Sequence, residues 1–63
     1  MQKYKNRWLT PIELYELYGF SLSWQAKARM SNSKIQIPYI KLGKFVRYNS
    51  EEIDKWLEEH KVL

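Results

Sequence analysis

The 63-residue sequence has no cysteine, one histidine, two glycines and two prolines. The absence of cysteine excludes a disulfide framework and thiolate metal sites, and it is compatible with a reducing compartment. Two glycines cannot build a phosphate-cradling loop, and a single histidine close to the C-terminus does not suggest a catalytic pair. We therefore expect no enzyme activity, no metal and no cofactor.

Long apolar runs are also missing. No stretch of signal-peptide or membrane-span length follows the basic first residues, so we expect a soluble, cytoplasmic protein without a membrane partner. The length allows one domain. Ten aromatic residues supply large apolar side chains for the small core of that domain.

Charge is distributed unevenly along the chain. Residues 1–48 contain nine lysines and arginines but only two acids, whereas residues 49–63 contain two lysines and five acids. This asymmetry predicts a basic surface that attracts a polyanion and an acidic helix that points elsewhere. A plainer alternative is that the excess lysine only keeps a small protein in solution.

A first helix is predicted from Pro11 to Tyr18. Thr10 can cap its N-terminus and Glu13 can complete a capping box, while proline is well suited to the first turn. Gly19 can adopt the left-handed conformation that ends a helix. Residues 1–7 are predicted to be a basic flexible arm, and residues 8–63 to form the domain.

A second helix is predicted from Leu22 to Met30, with Ser21 as its cap. The connection to the first helix is so short that the two helices must cross steeply. A periodicity of 100° per residue predicts that Leu22, Ala26 and Met30 are buried. The opposite, exposed face then carries Ser21, Trp24, Gln25, Lys27, Ala28 and Ser31.

A β-hairpin is predicted between Ile37 and Tyr48, with its turn at Gly43-Lys44. Simple alternation along the sequence predicts two faces. The apolar face would carry Ile40, Leu42, Val46 and Tyr48. The basic face would carry Lys41, Phe45 and Arg47.

The last helix is predicted to begin after a cap at Asn49 or Ser50. Its buried stripe would consist of Ile53, Trp56 and Leu57, and its acids would be exposed. The predicted order is therefore helix, helix, hairpin, helix, an α+β chain that is mostly α.

This order resembles the small winged helix-turn-helix domain of phage and mobile-element excisionases and of the related MerR-like regulators. The resemblance covers about Trp8 to Leu57. The matching segments are Trp8-Leu9-Thr10 with Glu13-Leu14, Gly19-Phe20-Ser21, Ile37-Pro38, Leu42-Gly43-Lys44, Arg47-Tyr48, and Ile53 with Trp56-Leu57. One departure is Trp24, which stands where relatives often carry a small hydroxyl residue.

The resemblance implies that the second helix enters the major groove of DNA and that the hairpin is a wing on the adjacent minor groove or backbone. We expect Gln25 to read base edges, since glutamine can bond adenine bidentately. Candidate contacts from the helix are Ser21, Ser23, Trp24, Gln25, Lys27 and Ala28. Candidate contacts from the wing are Lys41, Lys44 and Arg47.

Each candidate also has a structural explanation. The helix face could simply be solvated, the wing cations could protect an edge strand from aggregation, and Trp24 could fill the core. Arg29 could pair with Glu13 or Glu16 instead of touching DNA.

The predicted function is double-stranded DNA binding, as an excisionase-like architectural factor or a small transcriptional regulator of a phage or mobile element. A recombinase or further copies of the chain would be additional partners. The alternative is an interaction adaptor that docks on a recombinase or polymerase through Trp24, Phe45 and Tyr39.

Overall fold

A computed structural model describes residues 7–62 and shows an α+β chain with three helices and a three-stranded antiparallel sheet. The sheet order is β1-β3-β2, so the third strand is central. The elements in chain order are β1 (Trp8–Leu9), α1 (Pro11–Tyr18), α2 (Leu22–Ala28), β2 (Ile40–Leu42), β3 (Phe45–Asn49) and α3 (Ser50–Glu59).

Helix α1 begins and ends where its sequence predicts. The Thr10 hydroxyl accepts a hydrogen bond from the Glu13 N–H at 3.1 Å, and a Glu13 carboxylate oxygen accepts one from the Thr10 N–H at 2.9 Å. Gly19 ends the helix with φ 83° and donates its N–H to the Tyr15 carbonyl. Both the capping box and the glycine end are confirmed.

Helix α2 begins as predicted but is shorter. The Ser21 hydroxyl accepts a hydrogen bond from the Trp24 N–H, which confirms the cap. The last helical residue is Ala28, two positions before the predicted end at Met30. The Ala28 carbonyl instead accepts a hydrogen bond from the Ile37 N–H at 3.2 Å, which ties the helix end to the segment before the hairpin.

Strand β1 is an element that the sequence did not reveal. Leu9 pairs with Tyr48 and Trp8 pairs with Asn49. Arg7 extends this attachment, since its carbonyl accepts the Ser50 N–H at 2.8 Å and its own N–H is donated to the Ser50 hydroxyl. The body therefore includes Arg7. The rest of the predicted arm, residues 1–6, lies outside the described residues.

The hairpin forms as predicted, but its faces are different. The turn has two residues, with Gly43 at φ 60°, and Leu42 pairs directly with Phe45. Residues paired on neighbouring strands project to the same side of the sheet. Leu42 and Phe45 are paired although they are three positions apart, so simple alternation does not continue through the turn. The predicted faces are therefore wrong. One face carries Ile40, Leu42, Phe45 and Arg47, and the other carries Lys41, Val46 and Tyr48.

Helix α3 starts at Ser50 after Asn49, whose side chain accepts a hydrogen bond from the Glu52 N–H. Ile53 is fully buried, and Trp56 and Leu57 pack against the core from its edge, which confirms the predicted stripe. The core consists of Leu9, Leu14, Ala28, Ile37, Tyr48 and Ile53. Within residues 7–62 no helix is long and apolar enough to cross a membrane.

We expect Leu14→Ala to lower the free energy of unfolding by about 2–5 kcal/mol, because the side chain is fully buried and its removal leaves a cavity. The matched control is Ile12→Ala on the same helix, where the side chain is exposed and the expected loss is about 0.5 kcal/mol or less. Urea unfolding followed by circular dichroism measures both. Equal losses would contradict this core.

The Thr10 backbone hydrogen bond, and then the charge of Arg7, hold the pKa of Glu13 below its ordinary value of 4.5 although desolvation opposes them. A carboxylate whose pKa is lowered by folding stabilises the folded state at pH values above its ordinary pKa. This contribution disappears as the pH falls through the folded-state pKa. We expect Glu13→Ala to destabilise the chain at neutral pH and the difference from wild type to narrow below pH 4.5. Urea unfolding midpoints measured from neutral to acidic pH test this. Glu16→Ala is the control for loss of a carboxylate from α1. A difference between wild type and Glu13→Ala that does not change with pH would contradict the prediction.

Candidate nucleic-acid interface

Helix α2 presents a different face to solvent from the predicted one. Gln25 has no exposed surface and Ala28 is buried, so neither can contact DNA and both predictions are wrong. Leu22 and Met30, expected in the core, are each more than half exposed. The hydrophobic pattern predicts the wrong buried face of this helix. A short helix can bury small and amide side chains when their packing and hydrogen-bonding partners lie in the interior.

The buried Gln25 has a structural role. Its amide nitrogen donates to the Pro11 carbonyl at 2.9 Å and to the Phe20 carbonyl at 2.7 Å. The first carbonyl belongs to the start of α1 and the second to the connection between α1 and α2. One side chain thus satisfies two backbone acceptors and fixes the crossing of the two helices.

Trp24 lies at the border between the core and solvent. Its ring stacks on Phe20 with centroids 4.6 Å apart, and Phe20 also meets the edge of Trp56. The side chain is only partly buried. Of the two roles left open for Trp24, this packing supports the structural one.

The exposed face of α2 combines small side chains with a cation. Ser23, Ala26 and Lys27 are exposed, and Leu22 and Met30 border them. Ser21 is exposed too, although its hydroxyl already caps the helix. Of the predicted helix contacts, Ser21, Ser23 and Lys27 therefore remain at the surface. Ala26, which had been assigned to the core, joins them.

Side-chain contacts join the C-terminal end of α2 to the base of the hairpin. The Arg29 guanidinium donates a hydrogen bond to the Tyr48 hydroxyl and lies 5.9 Å from the centre of the Tyr39 ring. Arg29 does not pair with Glu13, whose carboxylate forms a salt bridge with Arg7. Burial raises the pKa of Tyr48, and the nearby Arg29 charge opposes that shift. Local sequence patterns do not indicate this junction, because Arg29 and Tyr48 lie 19 positions apart.

The hairpin cations differ in their surroundings. Lys41 and Lys44 are exposed. Arg47 is partly buried, donates to the Val46 carbonyl at 2.7 Å and lies 5.6 Å from the centre of the Phe45 ring. Lys41 and Arg47 project from opposite faces of the hairpin and Lys44 lies in its turn, so the three cations do not share one face.

None of these hairpin cations, and neither Lys27 nor Lys34, forms a salt bridge within residues 7–62. The acids are placed on other elements. Those of α3 are mainly exposed, and Asp54 accepts a hydrogen bond from the Tyr18 hydroxyl at 2.7 Å. Desolvation first, and then Asp54, raise the pKa of Tyr18. The basic side chains of α2 and the hairpin are thus left available to an external anion.

No protein-family model matches this chain, and neither a curated protein nor a solved structure matches it. In the part of the chain that the structure describes, no group of three or more histidines, aspartates and glutamates is placed to hold a metal ion.

We expect Gln25→Glu to lower the free energy of unfolding by at least about 1–3 kcal/mol, because it replaces a donor to two carbonyls with a buried acceptor. Lys27→Ala on the exposed face of the same helix is the control, with an expected change within about 0.5 kcal/mol. Urea unfolding at neutral pH measures both. A Gln25→Glu variant as stable as wild type would show that the side chain is at the surface after all.

Proposed function

We propose that this chain is a winged helix-turn-helix domain that binds double-stranded DNA, as an architectural factor of the excisionase type or as a small transcription regulator. One observation carries the proposal. The exposed face of α2 is joined at its C-terminal end to a hairpin whose lysines have no carboxylate partner within residues 7–62.

In this proposal α2 lies in the major groove. Ser23 and Ala26 are small enough to let the helix approach the base edges closely, and Lys27 can reach a guanine or a phosphate. Gln25 has no part in base reading, because it holds the two helices together. Its contribution to binding is indirect, through the angle at which α2 is presented.

The hairpin is the wing in this proposal. Lys44, at the turn, and Arg47, on β3, would contact phosphates, which position a protein on the duplex without reading sequence. Arg29 and Tyr48 would set the distance between wing and helix. Because these groups are fixed by hydrogen bonding and packing, little conformational freedom would be lost when both elements engage DNA.

Size limits the affinity of one such module. A single small domain buries little surface on DNA, so useful affinity would require several copies on adjacent sites or a partner such as a recombinase. The exposed acids of α3 would face away from the phosphates, since like charges repel.

A second candidate function is a protein-interaction adaptor. The exposed Phe45 and Tyr39 favour it, because aromatic residues are enriched at protein interfaces. Trp24, the third aromatic expected to dock, packs on Phe20 and offers less surface. Retention on heparin across a salt gradient separates the two functions, since an adaptor would elute early and a DNA-binding domain late.

We expect log K for a random-sequence duplex to fall with log salt at a slope of about −4 to −5, corresponding to about four to six phosphate contacts. Lys44→Ala should weaken binding to every duplex and flatten the slope by about one unit. Fluorescence anisotropy at several salt concentrations measures both quantities.

Lys55→Ala is the matched control for Lys44→Ala. Lys55 is an exposed lysine too, but it lies on the acidic helix α3, so its removal should leave both affinity and slope unchanged. A wild-type slope near zero would overturn the proposed function. Equal effects of the two substitutions would mean that net charge, and not the hairpin, governs binding.

A further inference from the structure

Two large apolar side chains stand side by side at the end of the hairpin. Leu42 and Phe45 are cross-strand partners that flank the two-residue turn, and they are 69% and 65% exposed. Among the described residues, only Val62 near the chain end is a more exposed large hydrophobic residue. The pair lies on the face of the sheet opposite Tyr48, so it does not belong to the core.

This arrangement runs against the usual pattern of an antiparallel sheet, in which the solvent-facing side is polar. Contiguous exposed apolar side chains mark contact sites more often than single ones do. No described residue of the core cluster covers the pair. Its exposure therefore needs a functional explanation.

The charges around the pair indicate what covers it. Lys44 lies in the turn between Leu42 and Phe45, and the Arg47 guanidinium lies over the Phe45 ring. Two copies packed through this face would bring the lysine and arginine of one against those of the other, which is unfavourable. Leu42 and Phe45 are therefore an apolar pair next to cations that form no salt bridge within residues 7–62. A complementary ligand has apolar surface between anionic groups, as duplex DNA has stacked base pairs between two phosphate backbones.

We propose that Leu42 and Phe45 form an apolar wedge that inserts between base pairs of duplex DNA and kinks it, while Lys44 and Arg47 hold the flanking phosphates. This inference rests on the proposed function and specifies how the hairpin would act. Architectural proteins insert such side chains and offset the unstacking by gaining contacts to the bent duplex. From Tyr48 to Phe45 the strand extends about 10 Å, which separates the wedge from the body.

The test compares wild type with the double variant Leu42→Ser/Phe45→Ser. The matched control is Ile40→Ser. Ile40 lies on the same strand as Leu42 and on the same face of the hairpin as the pair, but closer to the base of the hairpin. Two measurements are needed. Fluorescence anisotropy on a random-sequence duplex of about 30 base pairs reports binding. Ligase-driven cyclisation of fragments of about 120 base pairs, shorter than the persistence length of DNA, reports bending.

We expect wild type and Ile40→Ser to accelerate cyclisation about tenfold or more, and the double variant to accelerate it by less than about twofold. The double variant should still bind DNA, within about tenfold of the wild-type affinity and with the same salt slope, because its cations are intact. Circular dichroism confirms that each variant is folded. This combination of retained binding and lost bending supports the wedge.

Other outcomes overturn the inference in distinguishable ways. Cyclisation equal to wild type in the double variant would exclude the wedge and leave the proposed function standing. A wild-type protein that binds no duplex even at low salt would remove the proposed function and the wedge together. A DNA-free wild-type dimer that the double variant converts to monomers in sedimentation would assign the apolar pair to a second copy of the chain.

Discussion

Tyr48 is the residue on which the arrangement of the described structure depends most. It is fully buried in the central strand β3, where its backbone pairs with Leu9 of β1. Its hydroxyl accepts a hydrogen bond from Arg29 just after α2, and the next residue, Asn49, caps α3. Tyr48 and its neighbour Asn49 therefore link the sheet, the second helix and the last helix. In a domain this small few other buried groups can share that task.

The orientation of α2 decides which side chains can meet a ligand. Gln25 lies in the interior, where its amide donates hydrogen bonds to two backbone carbonyls. Leu22 and Met30 are exposed. The exposed face of α2, which the proposed function assigns to DNA, carries mainly small side chains, and its polar groups are chiefly those of Ser23 and Lys27.

The hairpin combines cations that form no salt bridge within residues 7–62 with exposed apolar side chains. Repulsion between like charges lowers the stability of an isolated domain, and exposed apolar side chains lower its solubility. On a hairpin that contacts duplex DNA, each has a use: the cations displace condensed counterions, and Leu42 with Phe45 can contact stacked bases. The proposed function and the proposed wedge thus account for the same surface from two independent properties, charge and hydrophobicity.

The sequence by itself determined what short-range physics controls: the capping box of Thr10 and Glu13, the left-handed end at Gly19, the hairpin turn, and the uneven charge. Only the tertiary structure decided which face of α2 is buried and that a two-residue strand completes the sheet. Caps and turns depend on neighbours within a few residues, so pattern reveals them. The shared side of Leu42 and Phe45 follows from the two-residue turn at Gly43-Lys44, which pairs them directly, and simple alternation along the sequence missed it. Burial of Gln25 and pairing of β1 depend on partners farther away, such as the Pro11 carbonyl 14 positions before Gln25, and local sequence carries no signal for these.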